Sequence, residues 1–257
     1  MKIIGDNFDT EENILKLISK STPSSDSELT FDCITNGGGW IYVTGNIIET
    51  KFSINYSELV FDTAIFVQFF AELINLEDEI TIFLDYEGSY PLLYAKKVNN
   101  DTLRFLFAHD YILFKNDEEW EDCLQHKIEF DILINKKDLL SKIYIILYRF
   151  LKNYDLDYAE YIGFNIKKAK EYLNTIQSYL DKNITLEEKK LIEEKINEKS
   201  EELSDFVKEL IKPENCMGPF ETTEEMMQAI WDSEDDEEED DDSEEDDYGP
   251  GNELHWR

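Results

Sequence analysis

The chemistry most concentrated in this chain is that of the carboxylate. From Asp232 to Asp247 every residue except Ser233 and Ser243 is Asp or Glu, an array with oxygen ligands in excess. It lacks the glycine and the twelve-position order of an EF-hand loop, so the expectation is loose association with Ca²⁺ or Mg²⁺ and no defined metal site or cofactor. A block of like charge repels itself and buries no apolar surface, which predicts disorder from Asp232 through Arg257. Such a block draws in cationic surfaces over a distance. Trp231 at its head, with Met226, Met227, Tyr248 and Trp256 around it, offers apolar anchors for what charge steers. The candidate partner-binding residues are therefore Trp231, Asp235, Asp236, Glu237, Glu238, Glu239, Asp240, Asp241, Asp242, Glu244, Glu245, Asp246 and Asp247. A solvated tail that only confers solubility is the alternative reading of the same run.

The other reactive side chains are sparse. His109, His126 and His255 have no carboxylate, cysteine or second histidine at ligand spacing. His109 and Asp110 are a base and an acid in adjacent positions, but neighbours on a strand point to opposite faces. No Gly-x-Ser-x-Gly elbow is present, and Gly37 to Gly39 lead into a strand, not into the helix that a phosphate cradle requires. Cys33, Cys123 and Cys216 are odd in number, widely spaced and without a Cys-x-x-Cys pair, which argues against disulfides and thiolate metal sites and fits a reducing cytoplasm. The pattern predicts no catalytic residue and a protein that is not an enzyme.

Charge bounds the partners. Against 25 Lys and Arg stand 59 Asp and Glu, a net −34, of which the Asp232–Asp247 block supplies −14 and the rest of the chain −20. Nucleic acid and anionic membrane are repelled by such a surface, since their affinity rests on Lys and Arg neutralising phosphate. A basic protein is the natural partner. The opening residues lack the basic and apolar regions of a secretory signal. The most apolar window, Leu59 to Leu76, is interrupted by Asp62, Gln68 and Glu72 and reads as a core helix. A cytoplasmic location is expected.

The elements that must position these residues are clearest from His126 to Tyr154. Ile128, Phe130, Ile132 and Ile134 alternate with Lys127, Glu129 and Asp131, the period of a half-buried strand. At Asn135, a suitable N-cap followed by Asp138, the period changes. Leu139, Leu140, Ile143, Ile146, Leu147, Phe150, Leu151 and Tyr154 then form the apolar stripe of a helix. Upstream, Thr10 to Ser21 has helical spacing behind a Thr10 cap. Leu29–Thr35 and Trp40–Ile48 flank the turn Asn36 to Gly39, and Lys51–Tyr56 adds a third strand. Further strands fall at Glu79–Asp85, Pro91–Val98 and Leu103–Ala108, with Tyr111–Phe114 extending the sheet. Beyond Tyr154 the pattern is helical alone, two apolar-striped segments joined near Thr185, where Thr185 and Glu188 have the spacing of a capping box. Thr222 to Trp231 predicts one more short helix.

The expected fold is thus α+β: an antiparallel β-meander sheet of five to seven strands with helices packed on one face, then a helical hairpin and a disordered acidic tail. The segments are 1–154, 155–212 and 213–257, and whether the hairpin packs on the sheet is left open.

The strand Ile128–Ile134, the junction Asn135-Lys136-Lys137-Asp138 and the helix through Tyr154 resemble the strand-to-helix unit of immunity proteins from bacterial polymorphic toxin systems. The likeness covers about 30 residues, or about 130 with the preceding meander, and the hairpin and acidic tail depart from it. It implies a small cytoplasmic acidic protein that occludes the active site of a toxin, often a cationic nuclease. The alternative from another class is a nucleic-acid mimic, whose carboxylates imitate phosphate spacing to antagonise a DNA- or RNA-binding host-defence protein.

Overall fold

Where apolar residues alternate the backbone is extended, and where they recur at three and four it is helical. The computed structural model describes residues 1–6, 10–25, 28–37, 40–48, 50–57, 61–85, 90–112, 124–154, 159 and 164–197. The strands are β1 (Lys2–Ile4), β2 (Leu29–Gly37), β3 (Trp40–Ile47), β4 (Thr50–Ser57), β5 (Glu79–Phe83), β6 (Leu92–Lys97), β7 (Thr102–Ile112) and β8 (Leu124–Asn135). The helices are α1 (Glu11–Ser19), α2 (Thr63–Glu72), α3 (Lys136–Asn153), α4 (Ile166–Asn183) and α5 (Leu186–Asn197). The short helix expected at Thr222–Trp231 and the acidic block lie outside the described residues.

The α+β class and the antiparallel meander are as the sequence predicts, but the strands divide between two sheets. One has the order β1-β5-β6-β7-β8, antiparallel except where β1 runs parallel to β5, and the other is the antiparallel set β2-β3-β4. Phe52 of the smaller sheet meets Phe130 of the larger with ring centroids 5.1 Å apart. Rings continue from Phe130 to Phe105 at 5.5 Å, to Phe70 at 6.3 Å and to Phe66 at 5.2 Å, so that one aromatic cluster joins both sheets to α2. Asp62 caps α2, accepting the Ala64 amide at 2.8 Å, and so starts the helix that its charge merely interrupts in the hydropathy pattern.

Two expectations are corrected. Helices cover both faces of the larger sheet: α1 lays Ile14, Leu17 and Ile18 on Phe83, Leu92, Tyr94, Leu106 and Ala108, opposite the face that holds Phe105, Phe107, Phe130 and Ile132. Ile128 also leaves the face expected for it. The register shifts between Phe107, which pairs with Phe130, and Ala108, which pairs with Ile128. The extra residue of this bulge, Glu129, turns Ile128 onto the α1 side.

The helical hairpin belongs to the same compact unit as the sheets, which spans Met1–Ser204. Helix α4 buries Ala169, Leu173, Ile176 and Leu180 against α2 and α3, and α5 lies against α3. The capping box forms as spaced: Thr185 N–H donates to Glu188 Oε2 at 2.6 Å and Glu188 N–H to Thr185 Oγ1 at 3.2 Å. No described helix is long and apolar enough to cross a membrane.

Candidate functional site

Trp231 and the twelve candidate carboxylates from Asp235 to Asp247 fall outside the described residues, as do His255, Cys123 and Cys216. The folded unit nevertheless brings other reactive groups together.

His109 sits on β7 just past the bulge, its ring 4.5 Å from that of Phe107, with a hydrogen bond to the backbone of Ser53 on β4. Burial pushes its imidazole below the ordinary value. Glu129 and the Ser53 bond pull it upward, and Lys127 pushes it down. A nucleophile-base pair would need the Ser53 hydroxyl, but that group donates to Asn55 Oδ1. His109 thus joins the two sheets as a neutral polar contact. Cys33 is half-buried within hydrogen-bonding reach of Thr44 Oγ1 at 3.3 Å; burial, opposed by the Thr44 bond and aided by Asp32, pushes its thiol up. A thiol held protonated is a weak nucleophile. Among the described residues, no three His, Cys, Asp or Glu are grouped to hold a metal ion.

Among the described residues a cleft of about 410 Å³ lies where α2 ends and β5 begins, lined by Lys2, Glu72, Glu77, Asp78 and Glu79 among others. Local sequence explains it. After Glu72 the helix tightens into a 3₁₀ turn at Leu73–Asn75, whose last carbonyls face no basic residue of their own helix. Lys136, the first residue of α3, supplies the missing cation by donating from Nζ to Ile74 O at 3.1 Å. Glu77, Asp78 and Glu79 then follow at the entry to β5.

Glu72 pairs with Lys2 at 2.9 Å, and Glu79 Oε2 accepts from Tyr94 Oη at 2.7 Å and from Lys96 Nζ at 3.3 Å. Burial opposes the ionised form of Glu79, but the Tyr94 and Lys96 bonds outweigh it and hold the carboxyl below its ordinary value. The same contact, after burial itself, drives the Tyr94 phenol far above its own. Glu79 is therefore an anion and Tyr94 a fixed donor. Glu77 and Asp78 stand exposed at the rim. This is an arrangement for attracting a cation.

Sequence reasoning passed over these four carboxylates because their signal is small beside the Asp232–Asp247 run. The available clue was three acids in a row, Glu77-Asp78-Glu79, at a helix-to-strand junction.

Charge is also unevenly divided along the folded part. Met1–Asn135 holds 9 Lys and Arg against 25 Asp and Glu, a net −16, while Lys136–Asn197 holds 12 against 10, a net +2. Residues 1–135 thus carry the excess, and residues 136–197 are nearly balanced. Comparison with protein-family models, with curated proteins and with solved structures finds no match.

Proposed function

We propose that the protein is a non-catalytic binding protein that captures a cationic protein, a toxin or nuclease in the manner of an immunity-type inhibitor. The observation that carries this reading is the segregated charge: with the acidic block set aside, a net −16 remains on the β-rich part of the folded unit. Such a field accelerates encounter with a basic surface and repels nucleic acid. The reactive groups of the folded unit support it too, since His109 and Cys33 are each committed to structural contacts.

The test is affinity capture from the native cell at physiological salt, followed by mass spectrometry. It uses the full chain and a full-length variant in which Asp232–Asp247 is replaced by Gly and Ser. One basic protein retained by both is the expected result. Retention by the full chain alone would move the interface to the acidic block. Recovery of only a salt-labile mixture, or of a DNA-binding defence protein, would overturn the proposal, the latter in favour of nucleic-acid mimicry.

A further inference from the structure

Among the described residues one non-glycine has a positive φ, Ile48 at 55°. Its cause is the tightness of the β3–β4 turn. Ile47 pairs with Thr50, so the chain reverses within two residues, of which Ile48 is the first. Two-residue hairpins demand left-handed backbone, which is why Asn-Gly and Asp-Gly dominate them. A β-branched residue is among the worst choices there, because its Cβ substituents crowd the following carbonyl.

Burial does not compensate, since Ile48 is 59% exposed. Leu15, Val98, Leu186 and Leu191 are exposed as well, but on ordinary backbone, and single exposed apolar residues need no explanation. At Ile48 local strain and exposure coincide, and folding gains from neither. Strain retained at a surface point directs attention to function.

The surroundings are anionic. Asp32 accepts from Asn46 Nδ2 at 2.9 Å and Glu28 precedes the partner of Ile47, against Lys51 opposite Asn46. We propose that the β3–β4 turn is a contact point for a cationic protein, with Ile48 entering an apolar pocket whose rim is basic. This rests on the capture function above and places one part of its interface.

The experiment uses the full chain with benzoylphenylalanine at position 48, the same probe at Val98 as control, and separately the Ile48→Gly variant. Photo-crosslinking in the native cell is expected to join position 48, and not position 98, to one basic protein. Glycine is at ease at positive φ, so Ile48→Gly should melt higher while binding that protein roughly ten- to a hundredfold more weakly, the worth of one buried aliphatic side chain. Greater stability with weaker binding excludes misfolding as the cause. If wild type and Ile48→Gly capture the same basic protein equally, the turn is not the contact, although the capture function stands. If wild type captures no basic protein, both readings fall. A crosslink from position 48 to a second copy of the chain would assign the turn to self-association instead.

Discussion

Arg104 holds three segments with one guanidinium. Its Nε and Nη2 reach the two oxygens of Asp131 at 2.9 and 2.7 Å, and Nη2 also donates to the carbonyls of Ile18 and Ser21 at the end of α1, at 2.8 and 3.1 Å. The Asp131 bond, against burial, drives the guanidinium still further above its ordinary value. Removing the carboxylate leaves a largely buried cation without its counter-charge. Asp131→Ala is expected to lose on the order of 3 kcal/mol in urea denaturation, and Arg104→Lys to lose stability as well, since an ammonium cannot reproduce the fork. Gly45 is a second such point: a Cβ there would lie 2.2 Å from Thr30 O and 2.5 Å from the Phe52 ring. Gly45→Ala should therefore cost about 1–3 kcal/mol by the same measurement, because backbone cannot move aside as a side chain can. Neither point is legible in the sequence. Alternation placed Asp131 with Lys127 and Glu129 on the water side, and nothing local to β8 reveals that α1 returns to cover it.

Elements whose signals are local were legible. Thr10, Asn135 and Thr185 all cap as their spacing suggests, because a cap and its amide lie within three residues. The division into two sheets was not legible, since strand alternation says which residues share a face and not which strands share a ladder. Helix α5 shows what local bonds must supply when burial is scarce. Ile192 is its one buried side chain, and Lys137 of α3 grips Glu188 at 2.7 Å. That bond first, then those from Thr185, lower the Glu188 carboxyl to about 2 from an ordinary 4.5. A depressed carboxyl stabilises the ionised form, so its contribution is full above 4.5 and disappears as pH falls toward about 2. Carboxyl-carbon NMR of Glu188 should give a midpoint near 2, and Lys137→Ala should move it upward. A midpoint unchanged in that variant would sink the assignment.

At the scale of the whole chain, a net −34 is a source of self-repulsion as well as of steering. Screening should therefore stabilise it. The expected outcome of calorimetry is a Tm that rises as NaCl is added from low to physiological ionic strength, where a chain held chiefly by surface ion pairs would show a fall. The larger sheet carries a consequence of another kind, in time. Its strands β5 to β8 and the helix α3 follow one another along the chain and join neighbour to neighbour, whereas β1 pairs Lys2 with Ile80, across α1, the whole smaller sheet and α2. Loop closure over so long a span is favourable only after the local contacts exist. Of the strands in the larger sheet, β1 is therefore expected to be seated last, after the folding barrier. Substitutions at Ile4 should hasten unfolding and leave the folding rate nearly unchanged.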